Sequence, residues 1–368
     1  MDAFKAYDDF LLKNVAQIST IESALRSLSY ILPGRFQDAE LTSQAIYAGL
    51  NVMSLYHNSV LRRAANDYIA QKQGQGLEES PFNKYTRFWT SASAPHRTIS
   101  SALSLLGYTQ VLIEMIAIKK LSPSQHYQVV AVLEAIKALL RLTLFRLTKH
   151  RMLLYPTHLE RDVDPSALDP QRHRHLQTPT YHWTGRRTGK EIPFIGTTIA
   201  MDKQQRSSSR FSDVNDYLMS RVLTAEKLRK PSQMVNIMSS LARFGEVASI
   251  FRPLIYVLAL MVYGRKAWKP WFISLAIDLI ANYAILRGYQ APDGRNMMMP
   301  LEKNEYHRRL RLLVLYVIKG AFYISITRPK LERFCNRLET KPVLKMGAGI
   351  LRDYLPLWQN IYFYSSTS

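Results

Sequence analysis

Cysteine is almost missing from this sequence. Cys335 is the only one in 368 residues, so no intrachain disulfide is available. No Asn-x-Ser/Thr glycosylation acceptor occurs. The opening residues, Met1 to Asp9, lack a basic region followed by an apolar one, so no secretory signal is expected. Ser365-Ser366-Thr367-Ser368 is neither a prenylation box nor a Ser-Lys-Leu address. These features predict a chain made in the cytosol with no cleavable address. Catalytic signatures are missing too: no Gly-x-Ser-x-Gly elbow, phosphate loop, dinucleotide glycine motif or His-Glu-x-x-His. No enzyme, cofactor or metal centre is expected. Cys335 lies between Arg333 and Arg337, a setting that lowers a thiol pKa, but a lone cysteine is more simply incidental.

Acidic residues are scarce: 28 Asp and Glu stand against 49 Lys and Arg, a net charge of +21. That excess points to an anionic partner, whether nucleic acid, acidic protein or a membrane surface. No zinc, helix-turn-helix or RNA-module signature supports nucleic acid. The densest basic patch, Arg308-Arg309-Leu310-Arg311, precedes an apolar run and suits lipid head groups at least as well as nucleic-acid phosphates.

Uninterrupted apolar runs of spanning length are also missing. A bilayer core needs about 20 residues. Pro253–Tyr263 covers only about 16 Å as a helix, and extending it backwards takes in Arg252. Trp271–Leu286 reaches about 24 Å but holds Asp278. Leu103–Ile118 holds Glu114. Buried helices of a soluble bundle, a re-entrant hairpin, and marginal spans stabilised by neighbours all fit these lengths. Trp268 and Trp271 beside Arg265, Lys266 and Lys269 form an interface signature, which moves the balance towards membrane association.

The remaining pattern is helical. Phe4, Tyr7, Leu11, Val15, Ile18, Ile21, Leu25 and Leu28 recur every three or four residues, and Pro33-Gly34 stops that helix. A second stripe runs from Leu41 and fades near Gly74–Gly76. Phe82, Tyr85 and Trp89 mark a short helix, and Thr98–Ile118 a longer apolar one. Ser122-Pro123-Ser124-Gln125 opens the next, expected to reach about Leu153. On it Glu134, Lys137 and Arg141 share a face, expected to be solvated or ion-paired. Further helices are expected from Asp213, after Pro231, through the hairpin Arg252–Leu286, and from Leu310 to Ile326. No strand signal competes. At Arg252-Pro253 the proline predicts a kink or restart. Arg252 is expected to snorkel, to bond freed carbonyls, to pair with Glu246 or Asp278, or simply to be solvated.

Between Pro156 and Arg210 no period is sustained. The sequence divides into an N-terminal helical region (1–155), a flexible basic linker (156–212) and a C-terminal helical region (213–368) containing the membrane-associated hairpin 252–286. His173, His175 and His182 lie in the linker without the Cys or carboxylate partners of a metal site. The expected fold is all-α, a multi-helix bundle.

Four stretches resemble the peroxin-sixteen family. They are Ile21 to Phe36 with Asp38-Ala39-Glu40, which includes Pro33-Gly34-Arg35-Phe36; Leu133 to Leu142, with Glu134, Lys137 and Arg141; Gly245-Glu246 with Ile250 to Tyr256, including Arg252-Pro253; and Tyr263-Gly264 with Trp268-Lys269-Pro270-Trp271. They occur in family order and cover most of the chain except the linker, which is the main departure. The resemblance implies a non-enzymatic peroxisome biogenesis factor, resident in the peroxisomal membrane and also in the endoplasmic reticulum. Its implied partners are a membrane docking factor and a soluble cargo receptor. An anionic membrane surface is expected to take the positive charge, with no nucleic acid bound. The implied mechanism is recruitment, by a membrane-seated scaffold, of the proteins that insert peroxisomal membrane proteins. The rival reading is a soluble basic helical protein that binds nucleic acid.

Overall fold

Serines set the helix starts. Ser80, Ser93 and Ser239 each accept a hydrogen bond from the backbone N–H three residues on, at 3.2, 3.4 and 3.3 Å. Gln125 accepts from the Ser122 N–H at 3.2 Å, completing a capping box. Pro81, Pro95 and Pro123 sit in first turns, where a missing N–H costs nothing.

The structure is a computed structural model. It describes residues 6–8, 10–11, 14–31, 39–71, 80–160, 182–184, 191–193, 230–291, 293–339, 349, 351–352 and 355. The helices are α1 (Val15–Ile31), α2 (Ala39–Gln71), α3 (Pro81–Ala92), α4 (Ala94–Lys120), α5 (Pro123–Leu147), α6 (Ser240–Tyr263), α7 (Trp268–Gly288), α8 (Pro300–Leu312) and α9 (Arg328–Glu339). The fold is all-α in character. One small antiparallel ladder, β1 (His182–Thr184) on β2 (Glu191–Pro193), lies within the stretch that lacks sequence period. Three paired residues per strand are too few to leave an alternation in the sequence.

The chain divides into two compact units. The first comprises Met1–Ser23, His57–Glu78 and Arg161–Lys230. Within it the His57 ring is hydrogen-bonded to Glu22 through Nδ1 and to the Tyr7 hydroxyl at 2.8 Å through Nε2. The second comprises Ala24–Tyr56, Glu79–Glu160 and Pro231–Ser368. Its core joins Trp89 of α3, Phe145 of α5, Met152, Met238, Ala242 of α6 and Ile285 of α7.

Two helical stretches differ from the sequence expectation. Helix α5 ends at Leu147, not Leu153, because Lys149 and His150 adopt left-handed φ of 56° and 57°. The chain then turns back, and Met238 N–H donates to the His150 carbonyl at 3.0 Å. The stretch expected from Leu310 to Ile326 is broken at Lys319-Gly320, where the glycine has φ +60°. A Cβ there would lie 3.2 Å from the Tyr256 hydroxyl, so the space belongs to α6. The pieces Pro300–Ile318 and Gly320–Leu338 meet at 50°.

Candidate functional site

Three helices, α4, α6 and α7, are long and apolar enough to cross a membrane, and the bent pair Pro300–Ile318 with Gly320–Leu338 is a fourth candidate. The charges that shortened the apolar runs are turned inward. Glu114 and Glu246 are fully buried, Arg252 is 9% exposed, and Asp278 is mostly covered. Charges exposed on these helices sit near their ends: Arg97, Lys119 and Lys120 on α4, Arg243 on α6, Lys269 and Arg287 on α7. Between the ends the outward residues are apolar, among them Leu105, Leu258, Met261, Phe272, Leu279 and Ile280. Such an arrangement suits hydrocarbon outside and hydrogen bonds inside.

Among the described residues of the second unit, buried polar clusters join the helices. Between α4 and α5, Gln110 donates to Glu114 at 2.6 Å and to Glu134 at 2.9 Å. Lys137 Nζ donates to Gln110 Oε1 at 2.7 Å and to Glu134 at 3.1 Å. Two turns after Glu134, Arg141 lies half-buried on the same face. The ion-paired alternative is what the structure shows for Glu134 and Lys137, but inside the bundle.

Around α6, Arg309 of α8 grips Glu246 with both terminal guanidinium nitrogens, at 2.6 and 2.9 Å. Arg309 also donates to the Leu153 carbonyl at 3.1 Å and to Glu305 at 2.9 Å. Arg308 takes Glu305 at 2.7 and 2.8 Å. Two of the three arginines expected to face anions are therefore committed to carboxylates, and of the three Arg311 alone is exposed. The third cluster belongs to Arg252, which donates to the Tyr316 hydroxyl at 3.1 Å and lies 3.4 Å from Asp278. Tyr316 OH reaches Asp278 Oδ2 at 3.2 Å. Lys319, 3% exposed, sits over the Tyr256 ring at 4.4 Å. In the fourth, Glu302 accepts from the Asn236 N–H at 2.5 Å, the Met299 N–H at 2.7 Å and the Tyr289 hydroxyl at 3.1 Å. Burial and the neighbouring Glu302 carboxyl push the Tyr289 hydroxyl above its ordinary pKa.

At the α6–α7 corner the two tryptophans part. Trp268 is 37% exposed beside exposed Lys266 and Lys269, and Lys269 caps the Tyr263 ring at 4.9 Å. Trp271 is buried, stacks on Phe322 at 5.5 Å, and donates its indole N–H to the Tyr316 carbonyl at 3.0 Å. Pro270 and Pro253 are buried in the same bundle. Pro33, Gly34, Arg35 and Phe36 lie outside the described residues, as do His173 and His175. Among the described residues no group of three His, Cys, Asp or Glu is placed to hold a metal ion. Cys335 is buried.

Sequence reasoning passed over Gln110 and Tyr316, and took Arg309 as part of an anion-facing patch and not as the partner of Glu246. Gln110 and Glu114 stand one turn apart in an apolar helix, and that spacing was the available signal. Nothing local marks Tyr316 or Arg309, whose partners lie 64 and 63 residues away.

Apolar faces outward, buried ion pairs and basic helix ends define a helical membrane protein. The chain belongs to the Pex16 family: the family model for peroxisomal membrane protein (Pex16) matches residues 5–360. It is similar to peroxisome biogenesis protein 16 of Arabidopsis thaliana, with 24% identity covering 99% of this chain and 100% of the relative. It is also similar to peroxisomal membrane protein PEX16 of Schizosaccharomyces pombe, at 24% over 92% of this chain and 91% of that one. Peroxisome biogenesis factor 16 of Dictyostelium discoideum matches at 36% over 34% of this chain and 31% of its own. No solved structure is similar to the chain. The protein is a peroxisomal membrane biogenesis factor, and its family is not a known enzyme family.

Proposed function

We propose that the protein is a membrane-seated scaffold that recruits docking or receptor proteins, and through them peroxisomal membrane proteins awaiting insertion. Membership of the Pex16 family over residues 5–360 carries this reading. On it the chain works by binding, not catalysis. Its partners are a docking factor in the peroxisomal membrane and a soluble cargo receptor, and Lys266 and Lys269 beside Trp268 meet anionic head groups. The hairpin 252–286 is the principal seat, with helical parts 1–155 and 213–368 on either side of the connecting segment 156–212.

Forced relocation tests recruitment. The full chain is fused to a mitochondrial outer-membrane anchor in cells that lack the native protein. A tagged peroxisomal membrane protein and its receptor are expected to follow it to mitochondria. Unchanged cargo distribution, with the chain itself correctly relocated, would overturn the scaffold reading.

A further inference from the structure

By length and composition alone α5 is not among the helices apolar enough to cross a membrane. Its side chains are nevertheless sorted like those of α4, α6 and α7. The inward face carries Glu134 and Lys137, 4% and 3% exposed. On the outward face the exposed residues recur every three or four positions: Gln125, Gln128, Val132, Ile136, Leu139, Thr143 and Arg146. Polar residues stand at both ends of that stripe and apolar ones in its middle. Val132, Ile136 and Leu139 are 58%, 41% and 60% exposed. From Gln128 to Arg146 the helix rises about 27 Å, close to the ~30 Å thickness of the hydrocarbon core.

Topology adds a second argument. Helix α4 joins α5 through only Leu121 and Ser122, and the two are antiparallel. Gln110 on α4 meets Glu134 and Lys137 on α5 at nearly equal distances in sequence from that corner. If α4 lies across the bilayer, α5 runs back through the same slab. Its outward stripe then meets the same hydrocarbon as the exposed Leu105 and Ile116 of α4.

We propose that α5 crosses the bilayer beside α4, with Val132, Ile136 and Leu139 against lipid acyl chains and Glu134 and Lys137 turned to the bundle. The occupant of the exposed stripe is hydrocarbon. Acyl chains match an apolar centre with polar ends set about one hydrocarbon thickness apart, and the two-residue corner returns α5 through the slab that α4 occupies. The assignment stands apart from the recruitment reading, because it concerns where one helix lies and not what the protein binds.

The test places single cysteines at Leu105, Ile136, Leu139 and Lys266 in a full chain carrying Cys335→Ala. Each is labelled with a bimane fluorophore and reconstituted into phosphatidylcholine–phosphatidylserine vesicles. Quenching by lipids with a nitroxide on the acyl chain is compared with quenching by aqueous iodide. Labels at Leu139, Ile136 and Leu105 are expected to be quenched several-fold more by acyl nitroxide than the label at Lys266, with the iodide order reversed. Val132 replaces Leu139 if a label there prevents folding. Iodide access at Leu139 with lipid quenching at Leu105 would put α5 outside the bilayer and overturn the proposal. Iodide access at both would remove α4 from the bilayer as well. Protection from both quenchers, with crosslinking to a second protein, would show a partner covering the stripe and equally overturn it.

Discussion

The hairpins α4–α5 and α6–α7 are closed by different means. Helices α6 and α7 meet backbone to backbone. A Cβ on Gly245 would lie 2.6 Å from the Ala281 carbonyl oxygen, and one on Gly288 would lie 2.7 Å from the Ala242 nitrogen. The Ser239 hydroxyl donates to the Gly288 carbonyl at 2.9 Å across the same contact. Helices α4 and α5 instead share a buried set of side-chain hydrogen bonds centred on Gln110. Where lipid replaces water, helices gain little by hiding apolar surface from one another. Close approach of small residues and interhelical hydrogen bonds are the remaining attractions. Each hairpin uses chiefly one of them.

The contrast can be broken at several points. The largest effect is expected at the joint between the hairpins. Glu246 of α6 holds Arg309 and also accepts from the Leu153 N–H, just beyond α5. Glu246→Ala takes the two-pronged carboxylate from a buried guanidinium that keeps only Glu305 as counter-charge, leaves the Leu153 N–H without its acceptor, and should cost about 3–5 kcal/mol, read as loss of monodisperse protein in detergent. Wild-type behaviour would mean that the hairpins are held together by something else.

Next comes the shape-closed hairpin. Gly245→Val should cost about 3 kcal/mol by overpacking against the Ala281 carbonyl, with a matching fall in thermal midpoint. The same exchange at Gly107, where nothing lies within 4 Å of an added Cβ, should be far milder. Equal losses at the two positions would remove the distinction between close-packed and open glycines.

The hydrogen-bonded hairpin should fail more gently. Gln110→Leu removes a donor to Glu134 and an acceptor for Lys137 but leaves their mutual pair, so a loss of about 1–2 kcal/mol is expected. A double-mutant cycle with Lys137→Met should show coupling, whereas one with exposed Lys119 should show none. Additivity in both cycles would deny the cluster any role in closing α4 on α5.

The smallest effect concerns pH. His158 lies between the Ser104 hydroxyl at 3.0 Å and the Tyr108 hydroxyl at 3.3 Å, and burial holds its pKa below the usual 6.5. The folded state therefore binds that proton less readily than the unfolded one. Docking of the segment around His158 on α4 should be intact above about pH 6.5 and weaken as the pH falls through the lower folded value. Amide exchange of residues 157–160, corrected for intrinsic rates, should accelerate at pH 5.5 relative to 7.5. The acceleration should vanish in His158→Gln.

Much of this architecture was legible because it is written locally. Ser122-Pro123 with Gln125 announces the start of α5, and Gly264 to Pro270 announces the corner between α6 and α7, although α7 already begins at Trp268 within it. The direction in which a charge points was not legible. A Glu, Lys, Arg run at three- and four-residue spacing fits a solvated face as well as a buried one, and the choice was made by Gln110, 24 residues upstream of Glu134. The break at Gly320 depends on the side chains of Tyr256 and Trp271 filling the space beside it. The basic patch at Arg308 and Arg309 read as a surface because Glu246, which claims Arg309, is more than sixty residues away.

The bonds between α4 and α5 also set an order of events during synthesis. Gln110, with Glu114 one turn on, leaves the ribosome before Glu134 and Lys137, its hydrogen-bond partners on α5, emerge. At about 5–20 residues per second, the 25 residues of α5 take roughly one to five seconds to follow. Throughout that interval α4 presents a carboxylate and an amide that hydrocarbon would penalise. With α5 crossing beside α4 as proposed, entry of this pair into the membrane is a joint step, begun only when the second helix can face the first.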